Sequence, residues 1–176
     1  PDSGFGQALG GALAQCLARA ELPARARAAD LGCGEGTYRA ALSRRFDLDG
    51  CGVDLSSAAI EAAAKRHPFL TWIVANADRR LPFPDASLEL LLSIDGRRNA
   101  AEAARVLAAG GSLLVAVSAE DDLCELREAV LGRLSGPDRA AAVRAEFDAD
   151  FVLVEQTTAR ERRALEGLHV YWGSSN

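Results

Sequence analysis

A doubly wound α/β fold, its mostly parallel sheet of seven strands covered by helices on both faces, is predicted by three observations. Strand-like and helix-like segments alternate almost without pause from residue 9 to residue 172. One candidate strand, residues 87–94, is apolar at Leu88, Leu90, Leu91 and Leu92, as a strand buried on both faces must be. The 176 residues are 49% hydrophobic and 26% charged, which suits one globular domain spanning the whole chain.

The elements follow in order. Leu9, Leu13, Cys16, Leu17 and Ala20 share a helix face in a lead-in over residues 1–24, closed by Pro23. Residues 26–31 read as a short, alanine-rich strand, and Tyr38, Ala41, Leu42 and Phe46 give the next helix its buried stripe. Residues 51–55 form a strand, Ser56 or Ser57 caps a helix that ends before Pro68, and residues 70–75 form the third strand. After the strand at 87–94, Asn99 with Glu102 opens a helix that Gly110-Gly111 stops. Residues 112–118 are the fifth strand. Asp122 starts a helix carrying Leu123, Leu126, Val130 and Leu134 inward until Ser135-Gly136-Pro137, and a short alanine-rich helix follows. Residues 151–157 and 168–172 supply the last two strands. In such sheets ligands sit outside the carboxyl ends of the strands, at the point where strand order reverses.

Composition excludes several classes. A net charge of −5 argues against a whole-surface nucleic-acid binder. Lys65 is the sole lysine, so basic chemistry falls to arginine, the better bidentate partner of phosphate. Cys16, Cys33, Cys51 and Cys124 have no metal-ligand spacing and His67 and His169 lie far apart, so neither a metal site nor a disulfide framework is expected. Without an apolar run of ~18–20 residues or a leader-like pattern, a soluble cytoplasmic protein is expected. The first residue is Pro1, which predicts residues upstream of it.

The loop after the first strand reads Asp30-Leu31-Gly32-Cys33-Gly34-Glu35-Gly36. Glycines on alternate positions let the chain turn sharply from strand to helix and let a ligand lie against bare backbone. A second acid, Asp54, ends the next strand eighteen positions past Gly36, where a carboxylate can accept from both hydroxyls of a ribose. Dinucleotide sites instead space their glycines for a pyrophosphate, which Glu35 inside this loop would repel. The pattern suits a nucleoside ligand without phosphate, such as S-adenosylmethionine.

Residues 30–36, 52–56 and 76–85 together resemble the successive signature motifs of the class I S-adenosylmethionine-dependent methyltransferases, and residues 104–111 (ARVLAAGG) are similar to that family's turn into strand five. Gly34-Glu35-Gly36-Thr37-Tyr38, Asp54-Leu55-Ser56 and residues 58–65 look most like the catalytic domain of the large-subunit ribosomal RNA guanine-N1 methyltransferases. The resemblance implies a Rossmann-like sheet and a cofactor held by Asp30, Leu31, Gly32, Cys33, Gly34, Gly36, Asp54, Leu55, Asn76, Ala77, Asp78 and Ser93. Within that set Asp78 is the first choice for the adenine contact and Asn76 the second. These 176 residues show no counterpart of the family's N-terminal zinc-binding RNA module, and the segment that helps wall its target-base pocket is reduced to about residues 160–167.

Three functions stay open: methylation of an RNA base, methylation of a small metabolite, and a non-catalytic cofactor-binding domain of a larger protein. Asp95, just after strand four, is the one candidate base, with a loop or capping carboxylate as its alternative. Arg79, Arg80, Arg97 and Arg98 follow strands at the carboxyl edge, either holding RNA phosphates or serving as solvated loop charge.

Overall fold

The computed structural model describes residues 4–132 and 135–160. Its elements run α1 (Gly4–Arg19), β1 (Ala26–Leu31), α2 (Thr37–Ser43), β2 (Leu48–Asp54), α3 (Ser57–Arg66), β3 (Thr71–Val74), β4 (Leu88–Ile94), α4 (Ala100–Val106), β5 (Leu107–Ala116), α5 (Cys124–Leu131) and α6 (Arg139–Phe147). Five strands form one sheet in the order β3-β2-β1-β4-β5, with every pairing parallel. The order reverses between β1 and β4, which places a crevice above their carboxyl ends.

Period-two alternation on β4 explains how one strand serves two cores. Leu90, Leu92 and Ile94 pack with Leu13 and Leu17 of α1 and Leu42 of α2. Leu91 points the other way, toward Ala103 and Val106 of α4 and Phe147 of α6. Leu90, Leu91 and Leu92 are all fully buried, each stabilising the fold by about 1.5–3 kcal/mol. The glycine of β2 opposite β1 has a packing reason too. Ala28 lies so close to Gly50 of β2 that a Cβ on that glycine would overlap the Ala28 carbonyl.

Four expectations are corrected. Residues 151–160 have no regular secondary structure, so the strand expected at 151–157 is not there. Val152 and Val154 are 87% and 94% exposed; a strand needs a neighbour and a buried face, and this segment has neither. It is tied down by polar contacts instead, Glu155 to Arg19 of α1 and Gln156 to Arg144 of α6. The strand expected at 168–172 lies outside the described residues, so the described sheet has five strands rather than seven.

Next, α4 stops at Val106, short of Gly110, because Leu107 is buried opposite Leu88 and enters the ladder through a register shift. On α2, Arg39 and Ala40 are buried where Ala41 was expected. Finally, Leu123 precedes α5 with φ of 53° and is exposed rather than inward. The side chains of Leu126 and Val130, and all of Leu134, lie outside the described residues.

The long connection from β3 to β4 is held by a pair on α4. Glu102 accepts from the Leu81 N–H at 2.7 Å and takes a two-pronged contact from Arg105. Arg105 also donates to the Leu81 and Phe83 carbonyls and to Asp85. With these partners, the Glu102 carboxyl is held down at about 2, chiefly by the Arg105 hydrogen bond.

Candidate active site

Above the carboxyl ends of the strands lies a cleft of about 220 Å³, lined by Gly32, Asp54, Leu55, Ala75, Asn76, Ala77, Asp95, Gly96 and Arg97. Three successive strand ends and the loop after β4 build it. The glycine loop leaves β1 with Gly32, Gly34 and Gly36 all at positive φ. The Gly32 and Cys33 N–H groups both donate to the Val53 carbonyl, which locks the loop onto β2. A Cβ on Gly36 would overlap the Trp72 indole, whereas one on Gly34 would meet nothing within 4 Å. The loop is thus packed hard on its inner side and open at Gly34.

Asp54 is the hinge of this arrangement. One carboxylate oxygen accepts from the Gly34 N–H at 2.8 Å, and the other accepts from the Ser56 N–H at 2.8 Å. Each oxygen keeps a lone pair for a hydroxyl donor in the cleft. Beside it, Leu55 is 61% exposed, an apolar face held in the open at the cleft wall.

Asn76 and Ala77 form the opposite wall. The Asn76 side-chain oxygen accepts from the Asp78 N–H at 2.9 Å, so its amide N–H groups remain as donors. Asp78 does not line the cleft itself and is paired with Arg97, which does, at 2.6 Å. Of the two adenine candidates, the structure lines the cleft with Asn76 and ties Asp78 to an arginine.

Beneath the loop, Asp30 and Arg39 are both buried and feel each other's charge without a direct ion pair. Asp30 is 2% exposed, and one of its oxygens has no hydrogen-bond partner among the described residues. Burial pushes its carboxyl up to about 7, with Asp54 adding to the effect and Arg39 opposing it. Arg39 is fully buried and also has an unpartnered Nε; burial lowers its pKa against the pull of Asp30. Leu31, Cys33 and Ser93 are buried as well. The Cys33 thiol is pushed up to about 12 by burial and by the charges of Asp30 and Asp54, so it is no thiolate. None of these five buried side chains lines the cleft directly.

Asp95 ends β4 with φ of 47°, a conformation aspartate tolerates better than most residues. Its Oδ1 accepts from the Ser118 N–H at 3.1 Å. From α2, the Tyr38 hydroxyl feels this charge, since its pKa is raised by burial and then by Asp95.

Sequence reasoning missed Gly96. A Cβ there would overlap the Leu31 carbonyl, and one on Gly32 would lie 2.8 Å from the Gly96 α-carbon, so the two loops interlock backbone to backbone. The signal available was a glycine directly after a strand-end acid.

Residues 28–111 match the family described as a methyltransferase domain. Over that stretch, just under half of its length, the chain resembles the class I methyltransferase domains. Its relatives include the 23S rRNA (guanine(748)-N(1))-methyltransferase of Streptomyces fradiae, 35% identical over 57% of this chain and 36% of that protein. Another is the Bacillus subtilis protein YxjB, named provisionally as a 23S rRNA guanine-N1 methyltransferase, 40% identical over 56% of this chain and 36% of that protein. The chain therefore spans about a third of the length of these two relatives. Among solved structures, the YcgJ protein of Bacillus subtilis superposes with a TM-score of 0.60 and 25% identity, over 80% of this chain and 67% of that one.

The arginines near the cleft are placed unequally. Arg97 is paired with Asp78, and Arg98 donates to Glu146 at 3.2 Å. Arg79 and Arg80 are exposed, with no ion-pair partner within bonding distance among the described residues. Glu35, in the glycine loop, is paired with Arg66 of α3, which offsets the charge expected to repel a phosphate. Among the described residues no three His, Cys, Asp or Glu side chains gather into a metal-sized group, and no helix is long and apolar enough to cross a membrane.

Proposed function

We propose that the domain binds S-adenosylmethionine in the cleft and methylates a guanine N1 of RNA. The observation that carries the cofactor half is Asp54, a carboxylate fixed by two backbone N–H groups at the mouth of an open glycine loop. That geometry fits a ribose diol, the exposed Leu55 fits the face of an adenine, and the Asn76 amide fits its polar edge. Bare backbone at Gly34 leaves room for the amino-acid end.

When bound, the cofactor supplies a methyl group on a sulfonium, already activated for displacement. The chain's own work is positioning and proton removal. Asp54, Leu55 and Asn76 hold the ligand along the cleft, and the interlocked Gly32 and Gly96 fix its floor. Asp95, at the far end, is the group placed to take the proton from a guanine N–H. A hydrogen bond from the Ser118 N–H fixes one of its carboxylate oxygens.

The RNA half is supported by the names of the relatives and by Arg79 and Arg80, exposed a few residues past the cleft-wall residues Asn76 and Ala77 and without an ion-pair partner among the described residues. A small-molecule acceptor is the second reading, favoured by the net charge of −5 and by the ion pairs that already occupy Arg97 and Arg98.

One experiment separates these readings: transfer of tritiated methyl from S-adenosylmethionine to total RNA or to a metabolite extract. Label in RNA supports the first, label in the extract alone supports the second, and label in neither refutes methyl transfer. Asp54→Ala should weaken cofactor binding by ~1–3 kcal/mol in calorimetry, and equal affinities would refute the ribose contact.

A further inference from the structure

A second cleft, of about 460 Å³, opens where β4 and β5 end, lined by Asp95, Arg98, Val117, Ser118, Arg139 and Ala142. Asp95 belongs to both clefts, so the second continues the first at the point where a base is needed. We propose that this second cleft is the acceptor's anion-binding subsite, with Arg139 as the anchor. The proposal rests on the methyltransferase reading and names the acceptor class: a molecule with a methylatable N–H or O–H at one end and a phosphate or carboxylate at the other.

The charges in the cleft are arranged end to end. Asp95 is negative at the shared end. Arg139, at the start of α6, has a guanidinium without a hydrogen-bond or ion-pair partner among the described residues. Arg98 is half-spent: its Nε donates to Glu146, while its two terminal nitrogens have no acceptor among the described residues. The negative charge nearest Arg139 in sequence, Asp138, is occupied in capping α6, accepting from the Ala141 N–H at 2.9 Å. Val117 and Ala142 supply apolar walls between the charged ends.

A single anion would be attracted to Arg139 and repelled by Asp95. A neutral base would gain nothing from Arg139. Only a two-ended acceptor satisfies both, and a nucleotide has that form. In a chain of net charge −5, such a local dipole is also what selects an anionic acceptor against the overall field.

The test uses guanosine 5′-monophosphate and guanosine as probes, titrated into the full chain in the presence of S-adenosylhomocysteine. A charge-assisted contact predicts that the monophosphate binds at least about tenfold tighter than guanosine. Arg139→Gln should erase that preference while leaving guanosine affinity unchanged, and Arg139→Lys should restore part of it. Arg139 is exposed, so these variants should fold, which circular dichroism checks. A short guanine-containing RNA is the second probe. If Arg139→Gln weakens RNA and monophosphate alike, the anion is a nucleic-acid phosphate; if it weakens the monophosphate alone, the anion belongs to a small acceptor. Both outcomes support the subsite. Equal binding of the two probes by the wild type, or a preference that survives Arg139→Gln, overturns it. S-adenosylmethionine binding is measured in parallel. Its absence overturns the cofactor reading, whereas its presence without an Arg139-dependent preference overturns the subsite alone.

Discussion

Replacing Asp30 by asparagine tests the buried pair beneath the glycine loop. The carboxyl is 2% exposed and is pushed from its ordinary 3.8 up to about 7. At ~1.4 kcal/mol per tenfold change in acidity, that difference corresponds to about 4 kcal/mol. The sign follows from proton counting. Between about pH 4 and pH 7 the folded chain holds a proton on Asp30 that the unfolded chain has released. This group's contribution is therefore complete below the unfolded value and is lost as pH rises through about 7. Asparagine keeps the shape and has no proton to lose. Urea unfolding of both proteins at half-unit steps from pH 4 to pH 8 is the assay. The gap in unfolding free energy between Asp30→Asn and the wild type should move in the variant's favour as pH rises, by up to about 4 kcal/mol, and level off above pH 7. Parallel profiles across that range would refute the reasoning, because they would show that Asp30 titrates alike in both states.

Three further outcomes are expected. Gly36→Ala places a side chain at φ of 79° and into the Trp72 ring, so its melting temperature should fall by an amount matching about 2 kcal/mol or more, with cofactor affinity falling too; an unchanged melting curve would refute the packing. Leu91→Ala empties a fully buried site between β4 and α4 and should destabilise the chain by about 2–5 kcal/mol in denaturant titration. Glu102→Gln should weaken the fold by roughly 1–3 kcal/mol at neutral pH; since Arg105 holds the Glu102 carboxyl down at about 2, that difference is fully present above about pH 4.5 and should close as pH falls toward 2.

What could be read from the sequence was whatever depends on local pattern. The apolar run of β4, the capping pair Asn99–Glu102 and the Asp30–Gly36 loop are each set by residues close in the chain, and each folds where expected. The cleft's membership was harder to read, because it depends on which strand ends meet. Asn76 and Asp78 are equally polar and two residues apart; only the fold brings Arg97 to Asp78 and leaves Asn76 in the cleft. Arg139 was not visible at all, since nothing local tells an arginine at a helix start that it faces the end of β5. Residues 151–157 show the reverse failure: a strand-like composition whose valines stay exposed and unpaired among the described residues.

The strand order also sets a timetable for assembly. Ala26 meets Leu48 across a short crossover, whereas Ala28 meets Leu90 only after the chain has passed through β2 and β3. Closing the longer loop costs roughly 1 kcal/mol more in chain entropy. As the chain leaves the ribosome, the β3-β2-β1 half can therefore gather first, with one side of β1 bare. The greasiest strand, β4, emerges after these three and finds the free edge of β1 already in place, with only β5 still to come on its other side.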